Sequence, residues 1–151
     1  MAVPAADATG LGVVNRFKVV IDNAIDLGAW ATCKGLTVKF EMEKVKVGGN
    51  YEHEVLLPKM VTYSAVTLAR VMTLQDSATV QGWLSAQSSA HQNNELKGST
   101  AEITVFDHHL EKVVSFSLRN VYPSSWKCPP LDANGKIVAV EELELVHEGF
   151  L

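Results

Sequence analysis

The side chains with the clearest chemical potential are the adjacent imidazoles His108-His109, the carboxylates Glu142 and Glu144, the segment Lys97-Gly98-Ser99-Thr100, and the thiols Cys33 and Cys128. Spacing argues against each of them. Neighbouring strand residues point to opposite faces and cannot share an ion, and no further ligands accompany the two histidines, so they read as a turn-exposed pair. Glu142 and Glu144 share a strand face, as acid–base catalysis would need, but a solvated or inter-subunit face is the commoner use of such charges. Lys97 precedes its glycine, and the first glycine of GxxxxGK is missing. His147-Glu148 lacks the second histidine of HExxH, and no GxSxG elbow activates a serine. Cys33 and Cys128 form neither a CxxC nor a four-ligand pattern and read as unpaired thiols in a reducing compartment. No catalytic, metal or cofactor residues emerge, so neither an enzyme nor a cofactor is expected.

Composition narrows the class further. A chain of 151 residues has room for one domain with a real core, here expected to span 1–151. It is 47% hydrophobic and 20% charged, with a formal net charge of -4. No basic block exists to neutralise phosphates, which argues against nucleic acid as a partner. The opening MAVPAADATGLG lacks the basic-then-apolar order of a signal peptide, and residues 1–12 read as a flexible arm. Apolar runs are strand-length, so no membrane segment is expected, and synthesis and folding in the cytoplasm follow as the expectation.

Positioning elements can be read from periodicity. Val14–Asp22 alternates, with Phe17, Val19 and Ile21 on one face. Residues 29–47 are rich in β-branched types and read as one or two strands. Gly48-Gly49-Asn50 supplies positive-φ turn positions, after which the chain returns through Tyr51–Leu57 and Pro58 ends the strand. Thr62–Met72 fits a strand with Ser64, Val66, Leu68 and Arg70 on one face. A helix is expected around 77–90, capped by Asp76 or Ser77, with Val80, Trp83 and Leu84 forming a stripe that docks on a sheet. A polar loop, SSAHQNNELKGS, follows. Ala101–Asp107 and Lys112–Val121 then pair around His108-His109, and an irregular stretch, YPSSWKCPPLDANG, leads to a last strand at Lys136–His147. The fold class is mainly β: a barrel or sandwich with one flanking α-helix and a projecting β-hairpin.

The chain resembles the phage tail tube proteins, in the branch found in contractile injection systems and phage-tail-like particles. The resemblance runs through Phe17, Val19, Ile21-Asp22, Gly35-Leu36, Glu41, Gly48-Gly49-Asn50, Leu57-Pro58, Tyr63, Leu68-Ala69-Arg70 and Trp83. Its most specific part is Asn120-Val121-Tyr122-Pro123 with Trp126, then Glu141, Leu143 and His147-Glu148-Gly149. Two departures are local: the family usually has tryptophan where Tyr122 stands, and a Gly-containing turn near His108-His109. The resemblance implies a barrel whose copies form six-membered rings that stack into a β-lined tube with a central channel. The implied partners are further copies of the chain, a sheath protein, baseplate and spike proteins, and cargo in the lumen. The implied setting is a particle assembled in the producing cell and open to release. A ring-forming subunit of a type VI-like secretion system and a monomeric ligand-binding β-domain are the alternatives.

Two sets of residues would carry that role. The hairpin Phe40–Glu54 is too charged to bury both faces in one subunit, which fits either a projecting arm or a solvated hairpin. The resemblance implies an arm between subunits, so Glu41, Glu43, Lys44, Lys46, Gly48, Gly49, Asn50 and Tyr51 are expected to meet a neighbouring subunit or ring. Glu102, Thr104, Ser115, Ser117 and Arg119 oppose an apolar set on central strands and are candidates for the channel wall, an ordinary solvent face being the other reading.

Overall fold

The computed structural model describes residues 16–49, 54–128, 133–135 and 138–151. In chain order the elements are β1 (Arg16–Ile21), β2 (Ile25–Trp30), β3 (Thr32–Lys34), β4 (Val38–Val45), β5 (Val55–Tyr63), β6 (Val66–Val71), α1 (Leu74–Gln92), β7 (Ser99–Phe106), β8 (Lys112–Lys127) and β9 (Val140–Val146). A seven-stranded sheet runs β2-β1-β7-β8-β9-β6-β3, and β4 and β5 form a separate two-stranded ribbon. The strands that end the large sheet, β2 and β3, are separated only by Ala31, so the sheet rolls until its ends meet. β8 turns the corner: its first part pairs with β7 and its last part, Tyr122 to Lys127, with β9. Register slips between Ser99 and Ala101 and between Pro123 and Ser125 supply the bend.

Alternation places the core inside this roll. Val19 and Ile21 of β1, Ala101, Ile103 and Val105 of β7, Val66 and Leu68 of β6, and Leu143 and Leu145 of β9 are buried. Val80 and Trp83 of α1 reach the same cluster, and Leu84 is half-buried beside it. Trp83 therefore docks the helix on its own subunit.

The seam between β2 and β6 is closed by a side chain. Arg70 points inward from β6, its Nη1 donating to the main-chain oxygens of Leu27 and, at 3.3 Å, Ala29 on the β2 edge. Its guanidinium lies 3.9 Å from the Trp30 ring centre. Arg70 Nε donates to Glu141 Oε1 at 2.5 Å, and that oxygen also accepts Ser77 Oγ at 3.2 Å. Glu141 Oε2 accepts Trp126 Nε1 at 3.1 Å. One buried carboxylate thus ties together β6, α1, β8 and its own strand β9.

Several boundaries differ from expectation. The helix begins at Leu74, and its cap is Thr73, whose hydroxyl accepts the Asp76 N–H at 3.3 Å; it runs on to Gln92 through residues read as loop. Pro58 lies within β5, opposite Met42 and beside a register slip; a ribbon edge tolerates a residue without an N–H. β8 continues through Tyr122–Trp126, where an irregular stretch was expected, because β9 pairs with it. Ser64 is exposed at a break before β6 rather than on its inward face. β2 starts at Ile25, earlier than its pattern suggests, and the last strand spans Val140–Val146, the described residues 138 and 139 lying outside it. The turn at Asn50 and Tyr51 lies outside the described residues.

The ribbon continues the barrel. β3 pairs Thr32 with Ala69 and Lys34 with Thr67; β4 pairs Val38 with Tyr63 and Phe40 with Val61, the same register carried onward. Gly35 allows the passage: it has φ +93, and a Cβ there would sit 2.0 Å from the Ala65 carbonyl oxygen.

Removing one partner of a buried ion pair strands the other, so Arg70→Ala is expected to lower unfolding stability by about 3–5 kcal/mol. Replacing both, Arg70→Met with Glu141→Leu, should recover much of that loss, since no charge remains buried. Trp83→Ala should cost about 3–5 kcal/mol through the cavity it leaves. Denaturant unfolding of each variant measures these differences.

Candidate functional site

The most unusual surface is the ribbon. Direct partners across an antiparallel pair share a face, so Phe40 with Val61, Met42 with Pro58 and Lys44 with Leu56 make one face. The other carries Glu43 opposite Leu57, Val45 opposite Val55, and the Glu43–Lys59 ion pair at 3.6 Å. Phe40 is 61% exposed and Met60 68%. Among the described residues, no other element packs extensively on the ribbon. Glu41, Glu43, Lys44, Lys46, Gly48 and Gly49 are all exposed there. Charge alone understates this arm. Leu56, Leu57, Met60 and Val61 on the returning strand make it apolar, and the run EVLLPKMV was the available signal.

A second surface is the outer wall of β1, β7 and β8. Glu102 faces Ser117 and Thr104 faces Ser115 across the β7–β8 pair, on the side opposite the core. Ser115 Oγ donates to Glu102 Oε1 at 2.8 Å and lies 3.4 Å from Thr104 Oγ1. Lys18 and Asp26 pair at 3.3 Å on the neighbouring strands. The patch of Glu102, Thr104, Ser115 and Ser117 is polar, with the Lys18–Asp26 ion pair beside it. Arg119 stands apart from it, its Nη1 donating to the main-chain oxygen of Leu151 at 2.6 Å.

The C-terminal segment forms a latch at the base of the ribbon. The N–H of Glu148 donates to Arg119 O at 2.9 Å, and Arg119 N–H to Gly149 O at 2.8 Å. Phe150 packs edge-on against Tyr63 and Phe116, with ring centres 5.2 and 5.6 Å away. His147 Nδ1 accepts the Gly149 N–H at 3.1 Å, which leaves Nε2 to donate to Ser64 O at 3.0 Å. Burial, then the nearby Arg119 charge, hold the His147 pKa below its ordinary 6.5 despite the opposing contact with Ser64 O.

The groups with catalytic potential do not converge. His108 and His109 lie against each other in an exposed turn, ring centres 3.9 Å apart and tilted by 44°. The Asp107 carboxylate accepts the N–H groups of Glu111 and His109, which hold its pKa low, and so is spent on shaping that turn. Among the described residues no group of three or more potential ligands is placed to hold a metal ion. Burial pushes the Cys33 thiol up to about 11, leaving it protonated at neutral pH. Glu142 and Glu144 face outward, beside Lys127 and Ser124. A groove of about 290 Å³ lies between α1 and the end of β8, lined by Leu84, Gln87, His91, Tyr122 and Trp126. Its indole N–H is already committed to Glu141.

Comparison with known proteins places this architecture. The family model described as T4-like virus tail tube protein gp19 matches residues 13–151. Among solved structures, the chain is similar to one in the extracellular contractile injection system PVC sheath–tube complex in its extended state. That match has a TM-score of 0.75 and 16% identity, covering 98% of this chain and 96% of that one. A chain of the anti-feeding prophage baseplate matches with TM-score 0.69 and 21% identity, over 99% and 95%. A type six secretion system protein is more distant, with TM-score 0.52 and 11% identity, over 87% and 78%. No curated protein matches the sequence closely.

The latch predicts a pH dependence of definite sign. Unfolded, His147 takes up a proton near 6.5; folded, it does so only at lower pH. The unfolded state therefore binds more protons between the two values, so this stability is complete above 6.5 and is lost as pH falls through the folded value. His147→Gln should lower the melting temperature at about pH 7.5, and the gap to the parent should shrink by about pH 5. A gap that stays constant with pH would show that His147 is not the titrating group.

Proposed function

This chain belongs to the T4-like virus tail tube protein gp19 family, and from that premise we propose that it builds the rigid inner tube of a contractile injection system. In this reading copies close into six-membered rings, and the rings stack into a tube that sits inside a sheath, ends on a baseplate and carries cargo in its lumen. The observation that carries the proposal is the ribbon: one face holds Phe40, Met42, Leu56 and Val61, and among the described residues nothing covers it. A monomer rarely exposes so contiguous an apolar face. A heterologous contact repeated from copy to copy, within a ring or between stacked rings, would cover it.

The polar wall suits a channel lining on this reading. Glu102, Thr104, Ser115 and Ser117 face away from the core, and Ser115 engages both Glu102 and Thr104, which occupies part of the wall's hydrogen-bonding capacity. Arg119, tied to the C-terminal segment, is assigned to the latch instead.

Purified protein should form rings or tubes in negative-stain images. Phe40→Ser with Met42→Ser should leave a folded monomer and abolish assembly; Glu43, Lys44 and Lys46 replaced together by serine should weaken it, more so at high salt. Normal tubes from the apolar double variant would refute the assembly role of the ribbon. Ser115→Cys should react with a bulky thiol reagent much more slowly in tubes than in free subunits, and equal rates would remove the wall from the lumen.

A further inference from the structure

We infer that the apolar corner formed by Val71, Leu74, Val138 and Val140 is the seat for the ribbon of a second copy of this chain, so that copies join head to tail. This rests on the proposal that the ribbon is an assembly arm, and it names the surface that receives the arm.

The corner is built by three elements. Val71 and Val140 are direct partners across β6 and β9 on the face opposite the core. The N–H of Met72 donates to Ala139 O at 2.9 Å, which sets the next rung and brings Val138 alongside. Leu74 opens α1 just beyond, 92% exposed, the most exposed large hydrophobic among the described residues. A leucine at a helix start contributes neither a cap nor core packing there, so its side chain serves neither the helix nor the barrel.

Position and charge match the ribbon. The ribbon prolongs the β3–β6 ladder past the Val66 end of β6, while the corner lies at the Val71 end. At about 3.3 Å per residue the two ends of β6 stand roughly 17 Å apart. The ribbon runs away from its own corner, so only another copy can bring the two together. Joining unlike patches at opposite ends is a heterologous contact that repeats without exhausting itself. The apolar face of the ribbon ends in Lys44, with Lys46 beyond it; the corner is continued along β9 by the outward carboxylates of Glu142 and Glu144. Among the described residues Glu142 has only a 4.0 Å contact with the exposed Lys127, which leaves it open to a lysine from outside. Apolar matched to apolar, with lysines meeting carboxylates at one end, also fixes the direction in which the ribbon lies.

The test uses the full chain. Leu74→Ser with Val140→Ser should raise the concentration needed for tubes by about tenfold or more, the loss of one interface anchor, with the melting temperature of the monomer unchanged. Glu142→Lys should weaken assembly, and adding Lys44→Glu should restore it. Because corner variants could perturb folding, oxidative cross-linking gives an independent readout. Met42→Cys with Val140→Cys should yield a ladder of covalent oligomers absent from the parent, with its natural thiols, and from either single variant. Tubes at the parental concentration from the corner variants, with ribbon variants still defective, would overturn the inference and leave the assembly arm standing. Tubes from the ribbon variants as well would overturn both. Covalent dimers from Val140→Cys alone would show the corner meeting itself and would also overturn the inference.

Discussion

Everything outside the barrel depends on the buried contact between Arg70 and Glu141. A sheet that rolls up must join its two ends, and here β2 is joined to β6, the neighbour of the end strand β3, by a guanidinium reaching to the main-chain oxygens of Leu27 and Ala29. A planar donor with several N–H groups suits that task, because it satisfies two edge carbonyls while a third bond goes to the carboxylate. Glu141 then spends its two oxygens on Arg70, Ser77 and Trp126. Such a cluster adds little net stability over an apolar core, but it admits one arrangement of helix, seam and corner strand.

That seam also decides where the chain can project. With β3 and β6 held at the Val71 end, their ladder continues at the other end as the ribbon, past Gly35 and Ala65. The C-terminal latch grips this exit from a second side, through His147 on Ser64 and Phe150 on Tyr63. An isolated two-stranded ribbon is marginal in water. Fixing its base lowers the entropy lost when a neighbour binds it, which is how a tube subunit can carry an arm that its own core does not cover.

Much of this was legible in the residues. Alternation along Phe17–Ile21 and Ala101–Val105 marks inward faces correctly, because each strand has one buried side, and Val80 and Trp83 at helical spacing identify the docking helix. The ends of elements were harder. Asp76 and Ser77 look like caps, yet Ser77 is drawn inside by Glu141 and Thr73 takes the cap. Pro123 and the serines after it look like a loop, and only pairing with β9, distant in sequence, makes them strand. Glu141 was visible as a family residue but not as a buried one: charged residues at 141, 142 and 144 look alike, and burial selects the one whose parity points inward. The charged letters of the ribbon drew attention from the apolar letters of its returning strand.

Closure of the barrel sharpens the meaning of the ribbon's exposure. A rolled sheet with its seam covered offers no long unpaired edge for indiscriminate pairing, the usual hazard of β proteins. The ribbon concentrates that hazard in one place, with two free edges and an apolar face. Its charges act as the restraint: Lys39, Glu43, Lys44 and Lys59 punctuate both strands, and the Glu43–Lys59 pair sits across the face opposite Phe40 and Met42. Lysines on an edge resist pairing with another identical edge, because like charges would then be brought together. They do not resist a surface bearing carboxylates. A chain arranged in this way disfavours ribbon-to-ribbon aggregation and leaves the ribbon available to a differently charged face. That asymmetry is what growth in one direction requires, since a tube must add subunits at its end without its arms binding one another.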